Sequence, residues 1–387
     1  MIQVDGFPVV SVLMPVRNEE QHIVGAITSV LQQEVPLELL VIDGASTDRT
    51  VELIAGIADP RLRLLSNPAG TIPSALNIGL ARSRGEFVAR VDAHARISAD
   101  YLQVGLRQLK DPEVTAVGGI RVAVAGTAAG RAIAAALSSP FGVGNSINHY
   151  ADTPQDTDHA SFGVYRAAVA KALSGWDEQL LANEDVDFDH RIRLAGNRIR
   201  FDPAMKIFWQ VREDLPAFAH QYRRYGRGKA GMVRKNGLSA IRMRHLAAPG
   251  LVGVLAVACI AALTGRHRAA VGLAAPYLMV VSAATARIRR GDRSENRVKF
   301  VILASAFVTM HVSWGIGLLE GLLLDRSPAQ GSATAPRPAG APIRQRVHPT
   351  VQDEQEGNRA RTSVSPTAGA GTLPLPNRPG RIRSAAQ

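Results

Sequence analysis

Cysteine is almost absent: Cys259 is the only one in 387 residues. This excludes a disulfide framework and a cysteine-built metal site, and the place of Cys259 inside an apolar run makes it a small hydrophobe. Glycine is missing where a dinucleotide oxidoreductase would need it. After the first strand-like run stands Pro15-Val16-Arg17-Asn18-Glu19-Glu20 instead of Gly-x-Gly-x-x-Gly, so no backbone can approach a pyrophosphate closely there. Gly142-Val143-Gly144 comes later and in the wrong context. A basic region followed by a long apolar core is missing from Met1 to Pro8, so no signal peptide is expected and the first domain should stay cytosolic. Large apolar residues nearly vanish from Ser327 to Gln387, which is rich in Pro, Ala, Gly and Ser; residues 325–387 are expected to be disordered.

Acidic charge is in deficit, and the formal net charge is +12. An excess of that size suggests nucleic acid until its placement is considered. Arg and Lys crowd from Arg223 to Arg244, from Arg287 to Arg297 and in the tail, so they flank apolar runs. That placement predicts a membrane surface as the partner and no nucleic acid.

Three apolar segments occupy the C-terminal third: Leu246–Gly265, Ala269–Ala286 and Phe300–Leu319. A bilayer crossing needs roughly 20 apolar residues, which each of them approaches or meets. The basic runs before Leu246 and from Arg287 to Arg293 are expected on the cytosolic side, so three crossings put the C-terminus outside, unless the first two spans form a tight hairpin. The predicted organisation is residues 1–230 as an α/β domain, 231–245 as a basic interfacial segment, 246–324 as membrane helices and 325–387 as tail.

The first 125 residues alternate strand and helix patterns. Strands are expected at Val9–Met14, Glu38–Ile42, Arg61–Leu65 and Phe87–Val91, with helices at Glu20–Leu31, about Asp48–Ala58 and Pro73–Ala81. Such alternation predicts an α/β fold with a mostly parallel central sheet, whose ligands bind beyond the carboxyl ends of the strands. Pro15 to Glu19, Asp43 to Asp48 and Asp92 to His94 each follow a strand, so one cleft can collect all three.

Four ordered stretches carry a resemblance: Ser11-Val12-Leu13-Met14-Pro15-Val16-Arg17-Asn18-Glu19, Val41-Ile42-Asp43-Gly44-Ala45-Ser46-Thr47-Asp48, Arg90-Val91-Asp92-Ala93-His94 and Asn183-Glu184-Asp185. In order and spacing they resemble the family 2 inverting glycosyltransferases of the GT-A fold, over roughly residues 8 to 230. With Leu137 to Gly144, the Asp-Ala-His form looks most like the bacterial exopolysaccharide branch that includes succinoglycan glucosyltransferases.

The resemblance implies a nucleotide-sugar donor, and the chemistry explains the residue types. A nucleoside diphosphate gathers negative charge as it leaves, and Mg²⁺ or Mn²⁺ neutralises it in an oxygen-rich shell. Asp92 suits such an ion directly or through water; His94, where the family usually has a second Asp, either binds metal or hydrogen-bonds phosphate. Asp43 is implied to accept from a uracil imide, which makes a UDP-sugar the first guess. Pro15 is expected to turn the chain so that backbone faces the base, with Arg17 and Glu19 on the nucleoside side; Asp48 is either a helix cap or functional.

Asp185 matches the family's general base, which an acceptor hydroxyl of high pKa requires, and Glu184 is an orienting or acceptor-binding residue. Gln221-Tyr222-Arg223-Arg224-Tyr225 resembles the Gln-x-x-Arg-Trp motif of processive members, which places Gln221, Arg224 and Tyr225 near diphosphate or acceptor, or else makes this stretch an interfacial helix. Trp176 is expected either in an acceptor-side loop or packed in the core, and Lys229, Arg234 and Lys235 are expected to face lipid.

The expected activity is hexosyl transfer from a nucleotide-sugar to a lipid-linked glycan by a multi-pass enzyme of the inner membrane. The alternatives are direct transfer to polyprenyl phosphate, or a noncatalytic sugar-nucleotide-binding component of a polysaccharide assembly complex.

Overall fold

The computed structural model describes residues 8–324 except 181, 242 and 292–296. The expectations for Met1–Phe7, for the centre of the basic connector after Arg290 and for the 325–387 tail therefore fall outside the described residues.

The chain opens with β1 (Val10–Val16), α1 (Ile23–Leu31), β2 (Leu37–Asp43), α2 (Thr50–Ala55), β3 (Leu62–Ser66), α3 (Ile72–Arg82) and β4 (Phe87–Arg90). β5 (Ala95–Ile97), α4 (Tyr101–Gln108), β6 (Val114–Val124), α5 (Ala128–Leu137), α6 (Pro140–Val143) and β7 (Gln155–Asp156) follow. Next come β8 (Val164–Arg166), α7 (Ala167–Ala172), α8 (Glu184–Leu194), β9 (Arg198–Gln210) and α9 (Leu215–Asn236). Three long helices close the described chain: α10 (Arg244–Leu263), α11 (His267–Gly291) and α12 (Phe300–Leu323).

The strands form one sheet of order β3-β2-β1-β4-β8-β6-β9-β5, with β7 added beside β9. β3, β2, β1 and β4 run parallel, as expected from their crossover helices; β8 then enters antiparallel, and β6 and β9 pair parallel to each other. Helices cover both faces. On α1, Ile23, Ala26, Ile27 and Val30 recur at helical spacing and are all buried, while on α3 Leu76 and Leu80 fill the opposite layer with Trp176, Phe188 and Ile192.

The first layer does not end at the catalytic domain. Leu303, Ala306, Phe307 and Met310 of α12 belong to the same buried cluster as α1 and α5. α12 also lies close against α9: a Cβ on Gly226 would collide with the backbone of Trp314, and one on Gly317 with the carbonyl of Arg223. Arg223 and Arg227 of α9 both pair with Glu320 of α12. Helices His245–Leu263, α11 and α12 are each long and apolar enough to cross a membrane. α10 and α11 expose apolar side chains such as Val257, Ile260, Val271 and Met279, a surface that water disfavours.

Candidate active site

Register brings the motif residues to one edge of the sheet. Val16 stands opposite Asp43 and Leu13 opposite Arg90, so the loops after β1, β2 and β4 emerge together. The first two loops are tied: Asn18 Oδ1 accepts from the Thr47 amide at 2.7 Å, and the Asn18 amide donates to Ser46 Oγ at 2.9 Å. Asp43 accepts from Ser46 Oγ at 2.6 Å. Asp48 accepts from the amides of Thr50 at 3.0 Å and Glu20 at 3.2 Å, which ties the start of α2 to the loop after β1.

Pro15 departs from expectation. It stays in extended strand opposite Ile42, beyond the last β1–β4 pair, where a residue without an N–H leaves no rung unmade. The left-handed turn comes three residues later, at Asn18 with φ 54°. Arg17 is exposed and lies against Gly70 in the loop after β3.

Beyond this ledge a cavity of about 840 Å³ opens, and Glu19, Asp92, His94, Glu184 and Asp185 line it. Pro15, Arg17 and Asp43 lie outside its lining. Its centre is organised by Arg90, a residue 7% exposed whose role the sequence reading missed. Arg90 Nε donates to Asp92 Oδ1 at 2.7 Å and its Nη2 to Asp92 Oδ2 at 3.2 Å, while Nη1 reaches Glu184 Oε1 at 2.9 Å and Asp185 Oδ2 at 3.8 Å. Strand alternation places Arg90 and Asp92 on one face, so a period-of-two reading of the motif would have paired them.

The two adjacent acids separate in character. α8 begins at Glu184 after Asn183 in the left-handed conformation (φ 63°), and it ends before Gly196 at φ 80°. Glu184 is buried at 5% exposure, and burial together with the charge of Asp185 raises its pKa. Burial works against the Asp185 carboxylate too, but His159, Arg90 and the Val186 amide outweigh it and hold its pKa below the ordinary value. Asp185 therefore faces the cavity ionised, able to accept a proton, while Glu184 steadies Arg90.

Asp92 and His94 are the residues that would meet a divalent ion. Each Asp92 oxygen keeps a lone pair beyond the one Arg90 uses, and His94 Nδ1 sits 3.2 Å from Glu19 Oε1, which leaves Nε2 as the second donor. Among the described residues no three His, Cys, Asp or Glu side chains close a cage. The set therefore fits a cation whose shell is completed by phosphate oxygens and water. Burial opposes the His94 imidazolium, but the bond to Glu19 and the charge of Asp92 outweigh it and raise its pKa, so a proton would compete with any cation at this imidazole.

α9 forms another wall. Gln221, Arg224 and Tyr225 line the cavity, Gln221 Nε2 donates to Tyr225 Oη at 3.1 Å, and Asn183 Nδ2 donates to the Tyr225 carbonyl at 3.1 Å, which ties α9 to the start of α8. Lys229 does not face lipid, and Lys235 is tied to an acid of α8. Lys229 is 6% exposed and lines the cavity, and Lys235 binds the buried carboxylate of Asp187 at 3.1 Å. Arg234 donates to the Gly321 carbonyl of α12. The acceptor-loop expectation for Trp176 is also corrected. It is 2% exposed, packs on Phe188 at 4.6 Å between ring centroids and on Tyr165 at 6.1 Å, and does not line the cavity.

Sequence reasoning also missed Arg121, His149 and His159, all on the cavity wall. Arg121 lies 4.2 Å from the Trp209 ring centroid. None of the three belongs to a local motif; β6, the segment before β8 and the sheet order bring them in. The same cavity is also lined by Ala248 and Leu251 of α10, Tyr277 of α11, and Met310 and Trp314 of α12.

Comparison with known proteins places the chain. The glycosyl transferase family 2 model matches residues 11–172. The succinoglycan biosynthesis protein ExoA of Rhizobium meliloti (strain 1021) is 30% identical over 326 residues, covering 81% of this chain and 94% of the relative. A dolichyl N-acetyl-α-D-glucosaminyl phosphate 3-β-D-2,3-diacetamido-2,3-dideoxy-β-D-glucuronosyltransferase of Methanococcus voltae is 23% identical, covering 58% of this chain and 74% of its own. In fold, the chain is similar to the mannosyltransferase PcManGT of Pyrobaculum calidifontis, solved with GDP-Man and Mn²⁺, at TM-score 0.53 and 20% identity, covering 82% and 88% of the two chains. The mixed, mostly parallel sheet followed by apolar helices is thus a GT-A architecture, and the chain belongs to glycosyltransferase family 2.

Proposed function

We propose that this glycosyltransferase is a membrane-anchored, divalent-metal-dependent inverting enzyme that moves a hexose from a nucleotide-sugar, UDP-linked in the first instance, onto a lipid-linked glycan of exopolysaccharide synthesis. The observation that carries the reading is a single cavity lined both by Asp92 and Asp185 and by apolar side chains of α10, α11 and α12. An acceptor with a sugar hydroxyl and a long apolar carrier suits such a lining. The M. voltae relative is named for a sugar acceptor on dolichyl phosphate, which favours a lipid-linked sugar over bare polyprenyl phosphate.

In this reading Asp43 accepts from the base, and Arg17 and Glu19 shape the nucleoside side. Asp92 and His94 would hold Mg²⁺ or Mn²⁺, which when bound supplies charge neutralisation to the departing diphosphate. Asp185 takes the proton of the acceptor hydroxyl as its oxygen bonds to the anomeric carbon; the bond to the diphosphate breaks with its electron pair, and configuration inverts. Arg224 offers a cation near the leaving group, Gln221 fixes Tyr225, and Tyr225 lines the acceptor path. The catalytic domain lies on the cytosolic face of the inner membrane, with α10–α12 as spans, residues 1–230 as the transferase and 231–245 as the basic segment at the lipid surface.

Membranes carrying the full chain, incubated with a panel of labelled UDP- and GDP-sugars, test this. The expected product extracts with lipid and disappears with a chelator. Asp185→Asn should lower turnover by about 10²–10⁴-fold while nucleotide binding persists, the range typical of a lost general base. Normal turnover by Asp185→Asn removes Asp185 as base, and a water-soluble product removes the lipid carrier.

A further inference from the structure

Asp189 lies one helical turn after Asp185 on α8 and is fully buried. Its Oδ2 accepts from His159 Nδ1 at 2.6 Å and from the Ala160 amide at 2.7 Å, and the Tyr165 hydroxyl also reaches this carboxylate. The same imidazole lines the cavity, and its Nε2 stands 3.8 Å from Asp185 Oδ2. A fully buried carboxylate is a costly way to anchor a loop, because an apolar residue fills such a space without losing hydration. The placement makes sense if the charge is used.

We propose that Asp189 and His159 are positioning residues for Asp185: Asp189 fixes the imidazole, and the Nε2–H of His159 holds the Asp185 carboxylate ionised and oriented toward the acceptor hydroxyl. The proposal rests on Asp185 being the base. The 3.8 Å separation is a charge contact, of the kind that tightens to a hydrogen bond when a site fills. The groups facing the imidazole agree with this. Asp185 and Asp189 face it from α8 and Asp158 stands beside it in the chain, while His149 and, through Asp189, Tyr165 adjoin the cluster. Burial opposes the His159 imidazolium, but the bond to Asp189 and the charge of Asp185 outweigh it and raise its pKa. The same imidazolium lowers Asp185, where a neighbouring acid alone would raise it.

Nothing in the local sequence around Asp189 marks its partners, which come from the segment before β8. Only the return of the segment before β8 across α8 brings His159 between the two acids.

The test is turnover by full-length enzyme in membranes, with the donor identified by the sugar panel, alongside UDP and GDP affinity. His159→Ala should lower kcat by about 10²-fold with donor KM and nucleotide affinity within about twofold, as expected for a group acting on the chemical step alone. His159→Gln keeps an N–H near the Nε2 position and should recover about tenfold of that loss. Asp189→Asn should flatten the pH–rate profile on the side where His159 loses its proton. In the double variant Asp189→Asn should add nothing to His159→Ala, because both act through one contact.

The relay is overturned if His159→Ala keeps kcat within about threefold of wild type, if the two losses multiply, or if nucleotide affinity falls in step with kcat. An inactive Asp185→Asn beside a normal His159→Ala leaves the base and removes the relay; an active Asp185→Asn removes both.

Discussion

Arg90→Met tests the account of the acidic centre most directly. Arg90 is 7% exposed, and it makes two charge-assisted hydrogen bonds to Asp92 and one to Glu184, with Asp185 at 3.8 Å. Methionine keeps much of the side-chain volume and removes the only cation bonded to the Asp92 and Glu184 side chains among the described residues. Breaking a buried pair by removing one partner costs about 3–5 kcal/mol, because the remaining carboxylates keep their desolvation without compensation. At roughly 2–4 °C per kcal/mol for a domain of this class, Tm should fall on the order of 10 °C. Thermal unfolding of wild type and variant in the same detergent, followed by intrinsic tryptophan fluorescence, measures this. Arg90→Lys should fall between the two, since a lysine restores charge without the planar fork that spans Asp92. A Tm within about 2 °C of wild type for Arg90→Met would refute the claim that Arg90 neutralises the site.

Two further outcomes follow from burial. Trp176→Ala should cost about 3–5 kcal/mol, as loss of a large core aromatic does, and leave acceptor KM unchanged; a raised acceptor KM at unchanged stability would return Trp176 to the acceptor loop. Glu38 is 2% exposed and accepts from Ser11 Oγ at 2.7 Å and from the Arg84 amide at 2.8 Å. Burial opposes its charge, but these bonds win and lower its pKa, so its stabilisation is present above the ordinary carboxylate pKa and lost as pH falls through the lowered one. Glu38→Gln should therefore cost about 1–3 kcal/mol near neutral pH and progressively less in acid, by Tm measured across pH; a pH-independent penalty would contradict the linkage.

Element types were legible where local pattern and tertiary demand agree. β1 to β4 and α1 to α3 formed within a few residues of expectation, because buried parallel strands and one-sided helices carry their periods in the sequence. The three apolar helices were legible from length and composition, and α11 and α12 extend several residues past the expected ends. Pro15 and Lys229 were misjudged, and Trp176 was left between two readings, because each depends on what comes from elsewhere in the chain: the end of the β4 pairing, the fold of α9 over α8, the Phe188 ring.

The sequence by itself determined the family, the order of the loop motifs along one sheet edge and the three apolar helices, since each is written in contiguous residues. Tertiary structure alone decided that Arg90 binds Asp92 and Glu184 together, that His159 stands between Asp185 and Asp189, and that α12 packs into the core of the catalytic domain. The physical reason is range: a period or a motif acts over a few neighbours, whereas a buried ion network is set by charges from three separate segments that meet only when the sheet has closed.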